Sequence, residues 1–318
     1  MQPNRDDEKA QEKFFITTAI DYVNSPPHLG TAYEKIIADV IARYKKLAGY
    51  DTQFLMGNDE HSLNVERKAR ELGMNPLDYC DKMAIAFEGT WQKLNISYDD
   101  FIRTTEARHI ASVQELLTRI YDKGDIYKGT YEGWYCVSCE SFYDETDLDD
   151  GLCPNHKLKA EWIKEENYFF RLTDYCRPLL EHIEKNPDFI IPEPRRNEIV
   201  SILKDGLKDI SISRSSTRWG IPLPFDERCV VYVWFDALIN YISGIGFSNN
   251  EKKFKRYWPA DIHLIGKDIT RFHCIIWPAM LMSAGIELPR TIFGHGFISI
   301  EGEKMSKTMG NILDPLNV

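Results

Sequence analysis

The strongest constraint on this chain is a junction near its start. Phe14-Phe15-Ile16-Thr17-Thr18-Ala19 has the aromatic and β-branched residues of a buried strand. Ile20-Asp21-Tyr22-Val23-Asn24-Ser25 leads from it into Pro26-Pro27 and then His28-Leu29-Gly30-Thr31. Beyond that, Tyr33, Ile36, Ile37, Val40, Ile41, Tyr44, Leu47 and Ala48 recur three and four apart, as on one face of a helix, and Gly49 stops it as a C′ residue would. A helix that opens just past a strand presents unpaired N–H groups and about half a positive charge, which suits a phosphate. Gly30 lets a ligand approach the backbone, and His28 offers a donor to a phosphate oxygen. Taken alone, the segment reads equally well as a tight strand–helix turn with a surface histidine.

The alternation continues. Thr52-Gln53-Phe54-Leu55-Met56-Gly57 is a second apolar strand ending in Asn58-Asp59-Glu60-His61. Polar residues bunched past a strand's carboxyl end mark either a ligand crevice of an open α/β sheet or a solvated turn. Helical spacing predicts helices over 63–72, 76–94 and 106–123. Strand–helix–strand–helix order predicts a Rossmann-like, doubly wound parallel sheet, in the α/β class. From Ile210 the pattern resumes, with strands at 229–235, 261–265 and 291–293, and Asp236 as a cap for a helix over 237–245.

Between these halves the texture changes. Residues 126–135 read as a short hairpin with glycine turns. Cys136-Val137-Ser138-Cys139 and Cys153-Pro154-Asn155-His156 follow, a CxxC and a CxxH thirteen residues apart. Three thiolates and an imidazole in two tight pairs close a tetrahedral shell around Zn²⁺ with no open position, which makes the metal structural. Helical patterns at 173–185 and 195–206 follow. The second carries Arg195, Arg196 and Lys204, with Lys208 just beyond, a solvated face or a basic face toward nucleic acid. The expected organisation is a leader over 1–13, a first half over 14–118, a connective insertion with a zinc knuckle over 119–206, a second half over 207–303, and a lysine loop over 304–318 that opens a C-terminal part not in the sequence.

That loop is Glu303-Lys304-Met305-Ser306-Lys307-Thr308-Met309-Gly310-Asn311, with two lysines three apart between glycines. It reads as a mobile loop closing over polyphosphate, or as an ordinary charged loop. A net charge of −10 argues against broad non-specific nucleic-acid binding. Seven cysteines, an odd number with four of them scattered, argue against a disulfide framework and for a reducing compartment. No apolar run reaches the roughly 18 residues of a membrane span, and the polar first dozen residues lack the features of a targeting peptide. A cytoplasmic protein with no membrane partner is expected.

In this order, the PPHLGT turn, the mid-chain cysteine knuckle and the KMSKT loop resemble the class I aminoacyl-tRNA synthetases, most closely those for methionine, over about residues 14–311. The resemblance implies activation of L-methionine with ATP and Mg²⁺ to methionyl-adenylate, then transfer to tRNA(Met) by the full-length protein. It implies His28, Lys304 and Lys307 as the groups that stabilise developing charge. Gly30, Thr31, Glu34, Gly294 and His295 would face the nucleotide. Ile20, Tyr22, Trp234, Ala237, Leu238, Tyr241, Ile269 and His273 would line the amino-acid site, with Asp59 on the substrate ammonium and Arg214 near it. Thr31 departs from the second histidine of the family's signature turn, Ser62 stands where glycine is usual, and Thr308 replaces the last serine of the lysine loop. The insertion is too short for the editing domain of the leucine, isoleucine and valine enzymes. A non-catalytic zinc-stabilised nucleotide- or RNA-binding module is the reading from a different class. A chain of this extent is expected to activate methionine weakly and to charge tRNA poorly or not at all.

Overall fold

The computed structural model describes residues 11–136, 141–143, 145–154, 157–215, 217–300, 303–304 and 313–317. The first third runs β1 (Lys13–Thr18), β2 (Asp21–Tyr22), α1 (Leu29–Leu47), β3 (Asp51–Asp59), α2 (Leu63–Glu71), α3 (Pro76–Lys93), β4 (Asp100–Arg103) and α4 (Ala107–Asp122). The middle holds β5 (Ile126–Cys136), β6 (Ser141–Tyr143), β7 (Glu161–Phe170), α5 (Cys176–Lys185), β8 (Ile190–Ile191), α6 (Glu193–Asp205), β9 (Ile210–Ser211), β10 (Ser213–Arg214), β11 (Pro222–Leu223) and β12 (Asp226–Val231). The rest is α7 (Val233–Ala237), α8 (Asn240–Ser243), α9 (Glu251–Tyr257), β13 (Ile262–Gly266), α10 (Trp277–Ser283), β14 (Ile292–His295), β15 (Ser299–Ile300) and β16 (Glu303–Lys304).

The main sheet is parallel throughout its described pairs. β1 lies between β3 and β13, β14 follows β13, and β8 closes that edge. On its other side β3 pairs with β4, while short β2 continues the lane of β1. The chain therefore leaves β1 in one direction to β3 and returns later on the other side at β13. Open α/β sheets bind ligands outside the strand carboxyl ends at such a reversal. The two faces of the strands serve two cores. Ile16, Phe54 and Met56 pack with Phe87 and Trp91 of α3, whereas Phe15 and Leu55 pack with Val113, Leu116 and Ile120 of α4. Burial on both faces is why these strands read as unbroken apolar runs. Gly57 is needed where β4 crosses close by: a Cβ there would lie 1.9 Å from the Ile102 carbonyl oxygen.

Helix α1 is inverted relative to its apolar pattern. Its buried residues are Ala32, Glu34, Lys35, Ala38, Asp39 and Ala42. Tyr33, Ile36, Val40, Tyr44 and Leu47 face outward, Leu47 at 88% exposure. Alanines allow the helix to lie close on the sheet, and the charges beneath it are paired. Asp39 takes Arg43 Nε at 2.7 Å and the Ser97 amide at 2.8 Å.

The middle region also differs from expectation. Residues 126–136 form one long strand, not a hairpin, because β5 pairs with β7 along nearly its whole length, Ile126 with Phe170 through Tyr135 with Glu161. Together with β6 and β9 these strands make a separate antiparallel sheet. From α5 onward the chain rejoins the main fold: β8 pairs with β14, and Leu179, Ile183, Ile199 and Leu203 enter the α4-side core. Asp236 lies inside α7 and caps no helix over 237–245; α7 ends at Ala237 and only the four-residue α8 lies within that stretch.

Candidate active site

The loops that follow β1, β3, β13 and β14 converge at the reversal. After β1, His28 is the N-cap of α1, and its Nδ1 accepts from the amides of Gly30 at 3.1 Å and Thr31 at 3.3 Å. Thr31 reciprocates, with Oγ1 accepting from the His28 amide at 3.0 Å. This closed capping box fixes the ring. Nδ1 carries no hydrogen, so the neutral imidazole holds its proton on Nε2, the nitrogen a phosphate would meet. Thr31 is therefore used within the turn, which accounts for a residue without charge at the second signature position.

Beneath that turn lies a buried ionic cluster. Lys35, 1% exposed, donates to Asp21 at 2.8 Å, Glu34 at 3.1 Å and the Ala19 carbonyl at 2.9 Å. Glu34 Oε2 accepts from His295 Nε2 at 3.1 Å, and His295 Nδ1 donates to the Gly296 carbonyl at 2.8 Å. Burial opposes charge on both partners. The Glu34 carboxylate nevertheless outweighs it and raises the His295 pKa, while Lys35 and His295 together lower that of Glu34. Lys35 is held protonated by its two carboxylates despite burial. Asp21 is the loser of this competition. Desolvation pushes it up to about 6 against the pull of Lys35, and its Oδ2 is buried without a hydrogen-bond partner among the described residues. Gly294 sits beside His295, where a Cβ would lie 2.9 Å from Thr270 Cγ2.

Across the crevice the side chains are aromatic. Trp234 stacks on Phe272 at 3.7 Å between ring centroids and meets Tyr22 edge-on at 6.3 Å. His273 donates from Nδ1 to the Ile269 carbonyl at 2.9 Å and accepts from the Tyr241 hydroxyl at 2.7 Å. Burial takes its pKa down to about 4, so the ring is neutral. His263, behind Tyr241 and stacked on it at 4.2 Å, is also lowered well below its ordinary value by burial. Ala237 and Leu238 are buried, and Ile20 and Ile269 pack on the same core at its edge. The Trp234 indole N–H is buried with no hydrogen-bond partner among the described residues.

Asp59 ends β3, 3% exposed, in register with Tyr22. Two residues on, His61 Nδ1 lies 2.7 Å from Asp236 Oδ2, and Asp236 Oδ1 lies 2.6 Å from His109 Nε2. The sequence marks His61 in the polar run after β3 and Asp236 as a cap, but it carries no signal that these two meet His109, because the three lie on elements far apart in the chain. Arg214 is held by Ser211 and the Ser213 carbonyl, with its guanidinium 4.4 Å from the Tyr232 ring. It shares a small cavity with His61, Thr217 and Trp219.

Lys304 pairs through its backbone with Ser299 in a two-stranded ribbon. Lys307 lies outside the described residues, as do Cys139 and His156. Of the expected zinc ligands, Cys136 and Cys153 are described. Both are buried and neither is in a disulfide. Among the described residues no helix is long and apolar enough to cross a membrane.

The family described as tRNA synthetases class I (M) matches residues 14–161 and 146–318. The methionine–tRNA ligase of Thermotoga maritima is 51% identical over 307 residues, covering 95% of this chain and 49% of that protein. That of Caldanaerobacter subterraneus is 52% identical over 306 residues, 96% of this chain and 48% of that protein. The chain thus spans about half the length of the curated relatives it matches. The Mycobacterium tuberculosis methionyl-tRNA synthetase in complex with methionyl-adenylate superposes with a TM-score of 0.93 at 49% identity, covering 96% of this chain and 61% of that one. The free form of the same enzyme gives 0.76, covering 90% and 56%.

Proposed function

Since the chain belongs to the class I tRNA synthetases, in the family marked M for methionine, we propose that it activates L-methionine with ATP to methionyl-adenylate and pyrophosphate. The whole protein would then pass the methionyl group to tRNA(Met), in the cytoplasm. The observation that carries this reading is the meeting of two unlike walls at one end of the sheet. A helix N-terminus capped by His28 stands on one side, and the Tyr22–Trp234–Phe272 aromatic set on the other.

The chemistry needs no protein nucleophile, because the methionine carboxylate itself attacks the α-phosphorus. The protein aligns the two reactants and stabilises charge on the phosphates. The His28 Nε2–H, at the positive end of α1 whose Gly30 and Thr31 amides its own Nδ1 engages, would take a phosphate oxygen. Lys304 and Lys307 would close over the phosphates, and Mg²⁺ would enter with ATP. Gly30, Thr31, Glu34, Gly294 and His295 would form the nucleotide side. There Glu34 acts through the His295 ring whose pKa it raises. Tyr22, Trp234, Ala237, Leu238, Tyr241, Ile20, Ile269 and His273 would enclose the thioether, which suits apolar and aromatic surroundings. A neutral His273 with both nitrogens occupied adds no charge to that pocket, so it favours an uncharged side chain over a lysine or glutamate. Asp59 would take the ammonium, with Arg214 behind it.

Cys136, Cys139, Cys153 and His156 would hold a structural zinc. Two buried, unbridged thiols fit that role, because Cys136 closes β5 roughly 30 Å along the strand from core-packed Ile126. Cys136 and Cys153 lie outside the two main cores, and a metal would supply the cross-link that such an outlying end lacks. The domain limits expected from the sequence belong to the same proposal, with the excursion from the main sheet carried by β5, β6 and β7.

The test is amino-acid-dependent ATP–pyrophosphate exchange. Exchange with methionine alone supports the reading. Exchange with leucine, isoleucine, valine or cysteine in its place assigns the chain to another branch. Nucleotide or RNA binding with no exchange for any amino acid supports the non-catalytic module.

A further inference from the structure

One buried group ties together several elements on the amino-acid side of the crevice. Asp236 is fully buried, and each of its carboxylate oxygens meets an imidazole, His61 Nδ1 at 2.7 Å and His109 Nε2 at 2.6 Å. His109, also fully buried, continues through Nδ1 to Ser243 Oγ at 3.0 Å, and that hydroxyl donates to the Ile239 carbonyl at 2.8 Å. Four elements are joined in this way: the segment after β3, then α4, α7 and α8. A carboxylate removed from water is tolerated only when donors replace the lost solvent, and here two do.

The placement gives the group a task. Asp236 sits in α7 between Trp234 and Ala237. His61 lies two residues beyond Asp59 on the loop leaving β3. The carboxylate therefore staples the loop that presents Asp59 to the helix that presents Trp234. His61 is steadied on its far side by Trp219, edge-on at 5.3 Å, whose indole N–H donates to the Glu60 carbonyl at 2.7 Å. Glu60 is in turn held by Arg103 Nε at 2.7 Å and by Thr105. The loop is thus fixed from both directions, with Asp236 as the contact that joins it to α7.

We propose that the His61–Asp236–His109 group positions the amino-acid half of the site, setting the distance between the ammonium-binding carboxylate of Asp59 and the aromatic wall at Trp234. This rests on the methionine reading above. Its members are positioning residues: they act through Asp59 and Trp234. A small error in that separation weakens methionine binding, because one wall or the other is then out of reach. ATP binding, built on α1 and β14, does not depend on it. The three residues also act as a unit, so their losses are not additive.

The experiment measures methionine and ATP affinities separately, by calorimetry or tryptophan fluorescence, on the wild-type chain and on His61→Ala, His61→Asn, Asp236→Ala and the His61→Ala/Asp236→Ala double variant, each checked for folding by urea melt. The expected result is methionine affinity weakened about tenfold or more in His61→Ala, with ATP affinity within about twofold. His61→Asn, whose amide N–H reaches toward the place of Nδ1–H, restores most of the loss. The double variant is no worse than the weaker single. If Asp236→Ala does not fold, the two His61 variants decide alone, since His61 stands at the edge of the cavity and its loss leaves Asp236 bonded to His109. Folded His61→Ala with unchanged methionine affinity overturns the inference, as does equal weakening of methionine and ATP, or no recovery in His61→Asn. Failure of the wild-type chain to bind methionine at all overturns the functional reading instead.

Discussion

The two sides of the crevice use histidine in opposite ways. On the side proposed for the nucleotide, His295 is partly buried against Glu34, and its pKa is raised. On the side proposed for the amino acid, His273 and His263 are fully buried with neutral partners, and their pKa values fall, His273 to about 4. The residue type is the same, and burial pushes all three the same way. The deciding difference is one carboxylate at 3.1 Å. Charge is thereby kept where phosphates are expected and excluded where a thioether is expected. The same contrast holds for the scaffolding beneath. The nucleotide side rests on an ionic cluster around Lys35, and the amino-acid side on stacked rings.

The sharpest way to break this contrast is to remove the central cation. Lys35→Met leaves Asp21 and Glu34 buried without their shared ammonium, and stranding buried charges costs about 3–5 kcal/mol. Urea unfolding at pH 7 should register most of that loss. A change below about 1 kcal/mol would mean that the cluster is not the foundation of α1.

Next in size is a pH effect that carries the sign of Asp21. Its folded pKa of about 6 lies above the ordinary 3.8, so the folded state holds the proton more tightly than the unfolded chain does. This contribution is fully present below about pH 4 and is lost as pH rises toward 6. Asp21→Asn removes the titration. By about pH 7 the variant should have gained up to about 3 kcal/mol relative to its difference from wild type at pH 4. His263 and His273, lowered by burial, act with the opposite sign over the same range, destabilising the fold as pH falls. The readout is therefore the variant-minus-wild-type difference at each pH, in which they cancel. A difference that stays flat from pH 4 to 7 would place Asp21 in an ordinary carboxylate environment.

How far the sequence spoke for this arrangement depended on how local each cause was. The β1–turn–α1 junction was legible because Pro26, Pro27, His28 and Gly30 act within one turn, and the structure puts His28 at the cap itself. The helices of α2, α3 and α4 fall within a residue or two of their periodic patterns. Periodicity misled at α1, whose apolar stripe is outside. Hydrophobic spacing reports which residues share a face, and only the neighbours decide which face is buried. Here Asp21 and His295 reward the charged face with partners. The glycines of β5 suggested turns, but ten paired residues of β7 hold the strand extended through them. Two-residue β8 left no periodic trace, since its place is set by pairing with β14. Asp236 was read as a cap because caps are local, whereas its actual partners are more than a hundred residues away.

The amino-acid side can be tested by removing its largest ring. Trp234→Ala deletes the stack on Phe272 and the edge contact with Tyr22. Methionine affinity should fall ten- to a hundredfold, about 1.4–2.7 kcal/mol, in the range of an aromatic anchor. ATP affinity should stay within about twofold. Equal losses for both substrates would erase the division into two walls.

The smallest effect probes the neutrality of that wall most directly. Tyr241→Phe keeps the ring stacked on His263 and removes only the hydroxyl that donates to His273 Nε2. The loss of one neutral hydrogen bond, with a buried acceptor left unpaired, costs about 1–3 kcal/mol of stability. Because no charge is involved, the cost should be the same at pH 6 and pH 9, unlike that of Asp21→Asn. Methionine affinity should fall by no more than about tenfold, since His273 keeps its bond to the Ile269 carbonyl and with it its orientation. A stability loss that grows as pH falls from 9 to 6 would show that the phenol faces an imidazolium, and the contrast with His295 would fail. A pH-independent loss leaves burial alone setting the state of His273, and the single carboxylate at Glu34 as what separates the two sides.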